Sequence, residues 1–286
     1  IDGVYGSTTT AIKYPTFQGL TYSMNHISNN DAFNISRVLT ENGNIYGLSK
    51  NSTDSHLMKN SEWGAVAYLA QSQYGLNGTD IYINNINLRN TTGAESVYAI
   101  TGCAGETAND TELRATMNTE TKRPVSNDNT RKLYVWTQEN GTKASTTGTI
   151  YGIYDMSGGI WERTAGLVNN SNGYLSKHGK SIINSLINGK SSQYVTSYSV
   201  STKGDSGANN WDNNTRIGEA IRETSTGREE KYSWNTDYSC FPTGDTPFSR
   251  RGGLFYARDG AGLFSFYRDN GGSTFSTGFR SVLVAL

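Results

Sequence analysis

Residues 152–164 read GIYDMSGGIWERT. No other stretch carries a more specific motif, and physically it reads as a strand, a tight turn at Gly158-Gly159 and a second strand. Tyr154, Met156, Ile160 and Trp161 are available to a core, while Glu162 and Arg163 stand as a polar pair beside the turn.

Outward toward the C-terminus, Phe248 to Leu286 reads FSRRGGLFYARDGAGLFSFYRDNGGSTFSTGFRSVLVAL. A frame of glycines and apolar residues (Arg251-Gly252-Gly253, Gly260-Ala261-Gly262-Leu263-Phe264, Gly278-Phe279-Arg280, Val282-Leu283-Val284) separates islands of other chemistry: Leu254-Phe255-Tyr256, Arg258-Asp259, Tyr267-Arg268-Asp269 and Ser273 to Thr277. Aromatic and Arg side chains supply anchors and small hydroxyls adapt, which suits a binding surface. The plainer alternative is a Gly-rich meander ending in a buried strand. These last 39 residues contain no Lys, Glu, Gln, Met or Trp, whereas the preceding 247 contain 37 of them. No codon ending in a pyrimidine encodes any of those five residues.

Toward the N-terminus, Asp31 to Thr40 reads as a helix with Phe33, Ile35, Val38 and Leu39 on its apolar face, and Ser61 to Tyr74 as a second, capped by Ser61 and stopped by Gly75. In the second, Trp63 and Tyr68 read as packing residues. Asp80 to Ile83, Ser96 to Ile100 and Leu133 to Trp136 read as short strands in an Asn-, Gly- and Thr-rich region. Further helices are expected at Ser176 to Leu186 and Gly218 to Glu223. With no repeat or linker in view, we expect residues 1–30 as an entry arm and 31–286 as one elaborated domain.

The chain of 286 residues has 25 basic and 25 acidic side chains and 35% hydrophobic residues. Balanced charge gives no general electrostatic reason for a nucleic-acid or anionic-membrane partner. Asn, Ser, Thr and Gly are abundant and Lys is scarce, a pattern common outside the cell. Cys103 and Cys240 form neither a CxxC pair nor a metal knuckle, and spacing leaves their pairing open. No apolar run is long enough to span a membrane. Because the sequence begins at Ile1 rather than Met, we expect a lost N-terminal part to have carried any export signal, anchor or pilin-like segment.

Ser61-Glu62-Trp63-Gly64-Ala65-Val66-Ala67-Tyr68-Leu69, then YDMSGGIWERT, Arg251-Gly252-Gly253 and Gly278-Phe279-Arg280 occur in this order. Together they resemble the formylglycine-generating-enzyme branch of the C-type lectin fold over about Asp31 to Leu286. Within it the chain is most similar to variable proteins diversified by retroelements, in surface or pilin-like forms of gut Firmicutes and in phage receptor-binding tips. The resemblance implies an α+β C-type lectin fold of short strands, few helices and long loops. It also implies adenine-directed variation of Asn codons ending in a pyrimidine, within a C-terminal segment at 248–280. Position by position, it assigns ligand binding to Ser249, Leu254, Phe255, Tyr256, Arg258, Asp259, Tyr267, Arg268, Ser273, Phe275 and Ser276, with Asp269, Thr274 and Thr277 close behind. Gly252, Gly253, Gly260, Gly262, Gly278, Phe279 and Arg280 match its fixed frame.

The residues argue against the other classes. The oxidase chemistry of that branch uses two nearby C-terminal cysteines with copper, and only Cys240 is C-terminal here. His26, His56 and His178 show no close ligand spacing and read as surface or loop residues. No Glu-Pro-Asn or Gln-Pro-Asp sugar loop is present, and Asn210-Trp211-Asp212-Asn213 only faintly echoes the calcium lectins. No Ser stands in a Gly-x-Ser-x-Gly elbow. The expectation is therefore a non-enzymatic binder displayed on a cell surface or phage particle, taking a protein or glycan ligand. It assigns no catalytic residue, no metal ligand and no cofactor, with room only for a structural calcium ion. The ligand face should be exposed, with Trp161, Leu263, Phe264, Phe279 and Val282 buried.

Overall fold

A computed structural model describes Pro15, Phe17, Gly19 and residues 23–84, 88–89, 97–98, 100–105, 116–117, 124–125, 134–199, 211, 214–226, 231–255, 257 and 260–286. Of the arm expected over residues 1–30, residues 1–14, 16, 18 and 20–22 lie outside the described residues, as do most of those from Gly204 to Thr215.

Every residue of the strand Trp161–Val168 is buried, as a strand covered on both faces must be. It is the hub of a seven-stranded mixed sheet in the order Lys231–Tyr232, Tyr238–Ser239, Gly262–Asp269, Phe248–Gly252, Trp161–Val168, Thr277–Phe279. Phe248–Gly252 runs antiparallel along one side of the hub, while Thr277–Phe279 and Thr196–Tyr198 share its other edge in parallel.

Side chains alternate between faces along a strand, and here the two faces meet different helices. Ala165, Leu167 and Phe248 pack against Ile27, against Phe33 of α1 (Asn29–Arg37), Leu175 of α3 (Gly173–His178) and Ile182 of α4 (Lys180–Asn184). On the opposite face, Trp63 of α2 (Asn60–Gln71) packs with Met156, Leu263 and Phe264. Its Nε1–H donates to the Leu263 carbonyl at 2.7 Å. A separate two-stranded sheet pairs Thr53–Leu57 antiparallel with Ser281–Ala285. The architecture is mixed α+β, with several sheets and few helices.

Of the expected elements, α1 forms and runs on as a 3₁₀ turn over Val38–Thr40. The second helix starts earlier than the Ser61 cap implies: Lys59 is the N-cap, and its N–H donates to Glu62 Oε2 at 2.8 Å. The third breaks into α3 and α4 at Gly179, where a Cβ would lie 2.5 Å from Phe248 Cζ. Gly218 to Glu223 is bends and turns rather than a helix, with Ala220 at φ +51°. Asp80 to Ile83 is no strand either, although Asn84 bridges Gly158. Val97–Tyr98 pairs with Leu88–Arg89, and Tyr134–Val135 pairs with Cys103–Ala104.

The opening motif keeps its turn and its second strand, but residues 152–157 are irregular backbone with bends instead of a first strand. Gly158 and Gly159 have φ of +74° and +73°, a region that L side chains rarely adopt. The Gly158 N–H donates to the Gly252 carbonyl at 2.9 Å, and the Gly159 N–H to the Asn84 carbonyl at 2.8 Å. Thus backbone bonds stitch the turn to the C-terminal segment at Gly252 and to Asn84. Trp161, Leu263 and Phe264 are buried, whereas Phe279 and Val282 are only half-buried. Thr277–Phe279 is the end strand in its sheet order and Ser281–Ala285 has one strand partner among the described residues.

Gly64 tests how tightly α2 is set. Alanine would favour the helix by about 1 kcal/mol, yet a Cβ there would lie 2.3 Å from the Gly218 carbonyl oxygen and 2.5 Å from Glu219 C. Both atoms are backbone, so overpacking of ~1–3 kcal/mol outweighs propensity. Gly64→Ala is expected to lower stability in urea unfolding, whereas a gain would refute the close helix–loop contact.

Candidate ligand-binding face

The register of the last strands decides which side chains reach the surface. Ser249 pairs with Arg268 and Arg250 with Tyr267, so neighbouring residues of the same strand serve opposite faces. Ser249 points toward α2 and is 2% exposed. Its hydroxyl lies 2.8 Å from Thr164 Oγ1 and accepts from Asn60 Nδ2 at 2.9 Å. Arg250 faces the other way, and its guanidinium sits 4.9 Å from the Trp161 ring centroid and 5.0 Å from that of Tyr267. The two rings stack at 5.7 Å, and Tyr238 closes on Tyr267 at 5.3 Å. This aromatic and guanidinium group needs little ordering on binding, because packing already holds it.

Beneath it lies a shared carboxylate. Arg250 and Arg163 are register partners on adjacent strands, and like charges directly opposite repel. Asp269 relieves them both: its Oδ2 lies 3.2 Å from Arg250 Nη1 and its Oδ1 2.7 Å from Arg163 Nη1. Arg163 has no exposed surface. It donates Nε–H to the Ile27 carbonyl at 2.9 Å, and Nη2 to the Gly272 carbonyl and to Thr277 Oγ1 at 3.1 Å.

Those bonds fix the loop from Asn270 to Ser276, which backbone bonds hold from both sides. Asn29 N–H donates to the Gly271 carbonyl at 2.9 Å, His26 N–H to Thr274 at 2.9 Å, and Trp161 N–H to Ser276 at 3.0 Å. Gly271, at φ +84°, lies over the Phe248 ring, which a Cβ would approach to 2.6 Å. Ser273 is exposed, and Phe275 and Ser276 are half-buried on this loop, as are Tyr267 and Arg268 on the strand before it.

The assigned ligand residues therefore divide. Tyr267, Arg268, Ser273, Phe275 and Ser276 present surface on the strand-and-loop region. Leu254 and Phe255 are 9% and 3% exposed. Leu254 packs with Ile160, Trp161 and Tyr267, and the Phe255 N–H donates to the Gly159 carbonyl at 3.1 Å. Tyr256, Arg258 and Asp259 lie outside the described residues. Arg250 stands outside the assigned ligand set although it adjoins Ser249 and the sequence offers Arg250-Arg251 with Arg258 as a local basic patch for partner contacts; the alternation of faces from a buried Ser249 is the signal that selects Arg250. Trp161 was read as core alone and His26 as an ordinary loop residue. Trp161 also floors the cation site, and His26 lies beside Phe275, ring centroids 6.5 Å apart.

At the far end of the frame, Arg280 makes a bidentate pair with Glu162, at 2.9 and 2.7 Å, and donates to the Tyr154 carbonyl at 2.9 Å. Burial pushes the Glu162 carboxyl up, and the Arg280 charge opposes that rise. Glu162 and Arg163 are thus not partners of one another, because successive residues of the hub strand face opposite sides.

Cys103 and Cys240 are both buried free thiols. Burial, with a further contribution from the Asp155 charge, pushes the Cys103 thiol upward, away from the reactive thiolate. His56 corrects the reading of the histidines as surface or loop residues: it is 4% exposed and held inside the strand Thr53–Leu57. Among the described residues, no group of three or more His, Cys, Asp or Glu side chains could hold a metal ion, and no helix is long and apolar enough to cross a membrane. No protein-family model matches the chain, and no curated protein matches it.

Asp269→Ala would leave two arginines facing each other, Arg163 fully buried. Breaking such a pair costs about 3–5 kcal/mol. Urea unfolding is expected to show a loss of that order, with faster amide exchange at Gly271 and Gly272. A loss below about 1 kcal/mol would show that the carboxylate does not anchor the loop.

Proposed function

We propose that this protein is a ligand-binding protein of C-type lectin fold, formylglycine-generating-enzyme-like, displayed on a cell surface or phage particle. Its C-terminal segment is varied by a retroelement to change what it binds. The observation that carries the reading is the division within that segment. Tyr267, Arg268, Ser273, Phe275 and Ser276 present surface, while Gly252, Gly271, Gly278, Asp269 and Thr277 are locked beneath them. Side-chain diversity is useful only on a backbone that does not refold with each change, and the bonds of Arg163 to Gly272 and Thr277 supply that rigidity. The absence of Lys, Glu, Gln, Met and Trp from the same 39 residues supports variation restricted to codons ending in a pyrimidine.

Recognition is non-covalent. Tyr267 supplies an apolar anchor, Arg250 beside it a charged donor and Ser273 to Ser276 an adaptable rim, while Arg268, the register partner of Ser249, presents its charge from the other side of the strand. Tyr256, Arg258 and Asp259 belong to the same proposal as neighbours in sequence, whereas the buried Leu254 and Phe255 join the frame. Ser249 is reassigned to the frame, because its hydroxyl is consumed by Asn60 and Thr164.

Sequencing the encoding locus tests the mechanism. A downstream near-copy of the codons for Phe248 to Leu286, differing only where the copy has adenine, is expected, and its absence would leave a binder of fixed specificity. Independently, a displayed library randomised at Tyr267, Arg268, Ser273, Phe275 and Ser276 should retain protease resistance in most members, each surface change costing within about 0.5 kcal/mol. Randomising Ser249, Asp269 and Thr277 should abolish it in most. Equal tolerance of the two libraries would overturn the assignment of face and frame.

A further inference from the structure

His56 is built into a joint that the binding face does not use. Asp54 Oδ2 lies 2.5 Å from its Nδ1 and Glu62 Oε1 lies 2.8 Å from its Nε2. An ionised carboxylate can only accept, so satisfying both oxygens requires a proton on each ring nitrogen, that is, an imidazolium. Each carboxylate belongs to a further element. Asp54 also takes Arg37 Nη1, from the last residue of α1, at 3.1 Å, and the Tyr194 hydroxyl at 3.2 Å. Glu62, in the first turn of α2, lies 3.2 Å from Lys59 Nζ and accepts the Lys59 N–H.

On the remaining side the joint bears on the end of the domain. His56 is the register partner of Val282 and Asp54 that of Val284. The Met58 N–H donates to the Arg280 carbonyl at 3.1 Å, and the Leu286 N–H to the Ser52 carbonyl at 3.0 Å. No titratable side chain of Ser281–Ala285 faces the imidazole, so Asp54, Glu62, Arg37, Lys59 and Tyr194, whose ring lies 5.8 Å from it, are the groups that set its state.

We propose that Asp54, His56 and Glu62 form a proton-operated clasp which fastens the Thr53–Leu57 strand to α1 and α2 and so secures the Ser281–Ala285 strand. Removing one imidazole proton leaves a carboxylate facing a ring lone pair inside the protein, and the clasp opens. Burial alone would disfavour the charged ring, but Glu62 and Asp54 outweigh it and raise the His56 pKa above its ordinary value. Burial likewise opposes ionisation of both carboxyls, yet the bonds to His56 hold each below its usual range. The signs fix the window. The histidine contribution is complete below the unfolded value of about 6.5 and is lost as pH rises through the folded pKa. The carboxylate contributions are complete above about 4.3 and are lost as pH falls through their folded values. The clasp is therefore fully closed in mildly acidic solution and opens on the alkaline side.

The test uses the whole chain and needs no ligand. The three histidines are titrated by NMR, and amide exchange of Ser281–Ala285 is followed from pH 5 to 9, corrected for intrinsic base catalysis. The expected result is a His56 titration above the ordinary histidine value, with a severalfold loss of strand protection across the same transition. In His56→Gln that pH-dependent loss disappears. Glu62→Gln retains an acceptor but not the charge, and is expected to move both the His56 titration and the loss of protection to lower pH, which keeps the test decisive should His56→Gln not fold. A His56 titration at or below the ordinary value, or strand protection independent of it, overturns the proposal.

Discussion

The guanidinium of Arg163 is the interaction on which the C-terminal half depends. A charge without exposed surface is tolerated only when its donors are occupied, and Arg163 meets that demand with groups from three places at once. The carbonyl of Ile27 precedes α1, Asp269 ends a sheet strand, and Gly272 and Thr277 belong to the terminal loop. Ile27 is far in sequence from the other three, so the side chain ties the terminal loop to the entry of α1 and defines where that loop must sit relative to the sheet. A hydrophobic residue of similar size could fill the space but could not specify that arrangement.

A second buried arginine repeats the device on the opposite face. Arg251 donates to the carbonyls of Glu219, Ala220 and Leu263 at 3.0 to 3.3 Å. Burial pulls its pKa down to about 10, with Tyr198 and Glu219 opposing that fall, so it stays charged at neutral pH. It holds the turn from Gly218 to Glu223 against α2 and the sheet. That explains why the segment is irregular despite its helical composition: its carbonyls are spent on Arg251, and Ala220 is held at positive φ.

Much of this was legible in the sequence. The glycine turn of GIYDMSGGIWERT, the helix around Trp63 and the framed character of the last 39 residues were readable because each is local: a turn needs glycine, a helix needs a stripe, a strand needs alternation. The partners of the charged residues were not. Glu162 and Arg163 look like a pair in one dimension and separate onto two faces once a strand forms, and His56 looks like a loop residue until a helix 6 residues on supplies Glu62. Ser249 was assigned to the ligand set and Arg250 left out of it for one reason, since a one-residue difference along a strand exchanges interior for surface.

Asp269 sets a limit on heredity as well as on shape. Either aspartate codon carries its adenine in the second position, and replacing that base yields Gly, Val or Ala, none of which can neutralise Arg163 and Arg250. At Thr277 the adenine stands first, and only the change to Ser keeps a hydroxyl for Arg163. Under the proposed diversification, lineages that expose these two codons to the mutating machinery discard part of every generation as misfolded chains. A template that spares them while leaving Tyr267, Arg268 and Ser273 to Ser276 open would turn nearly every copying error into a usable surface.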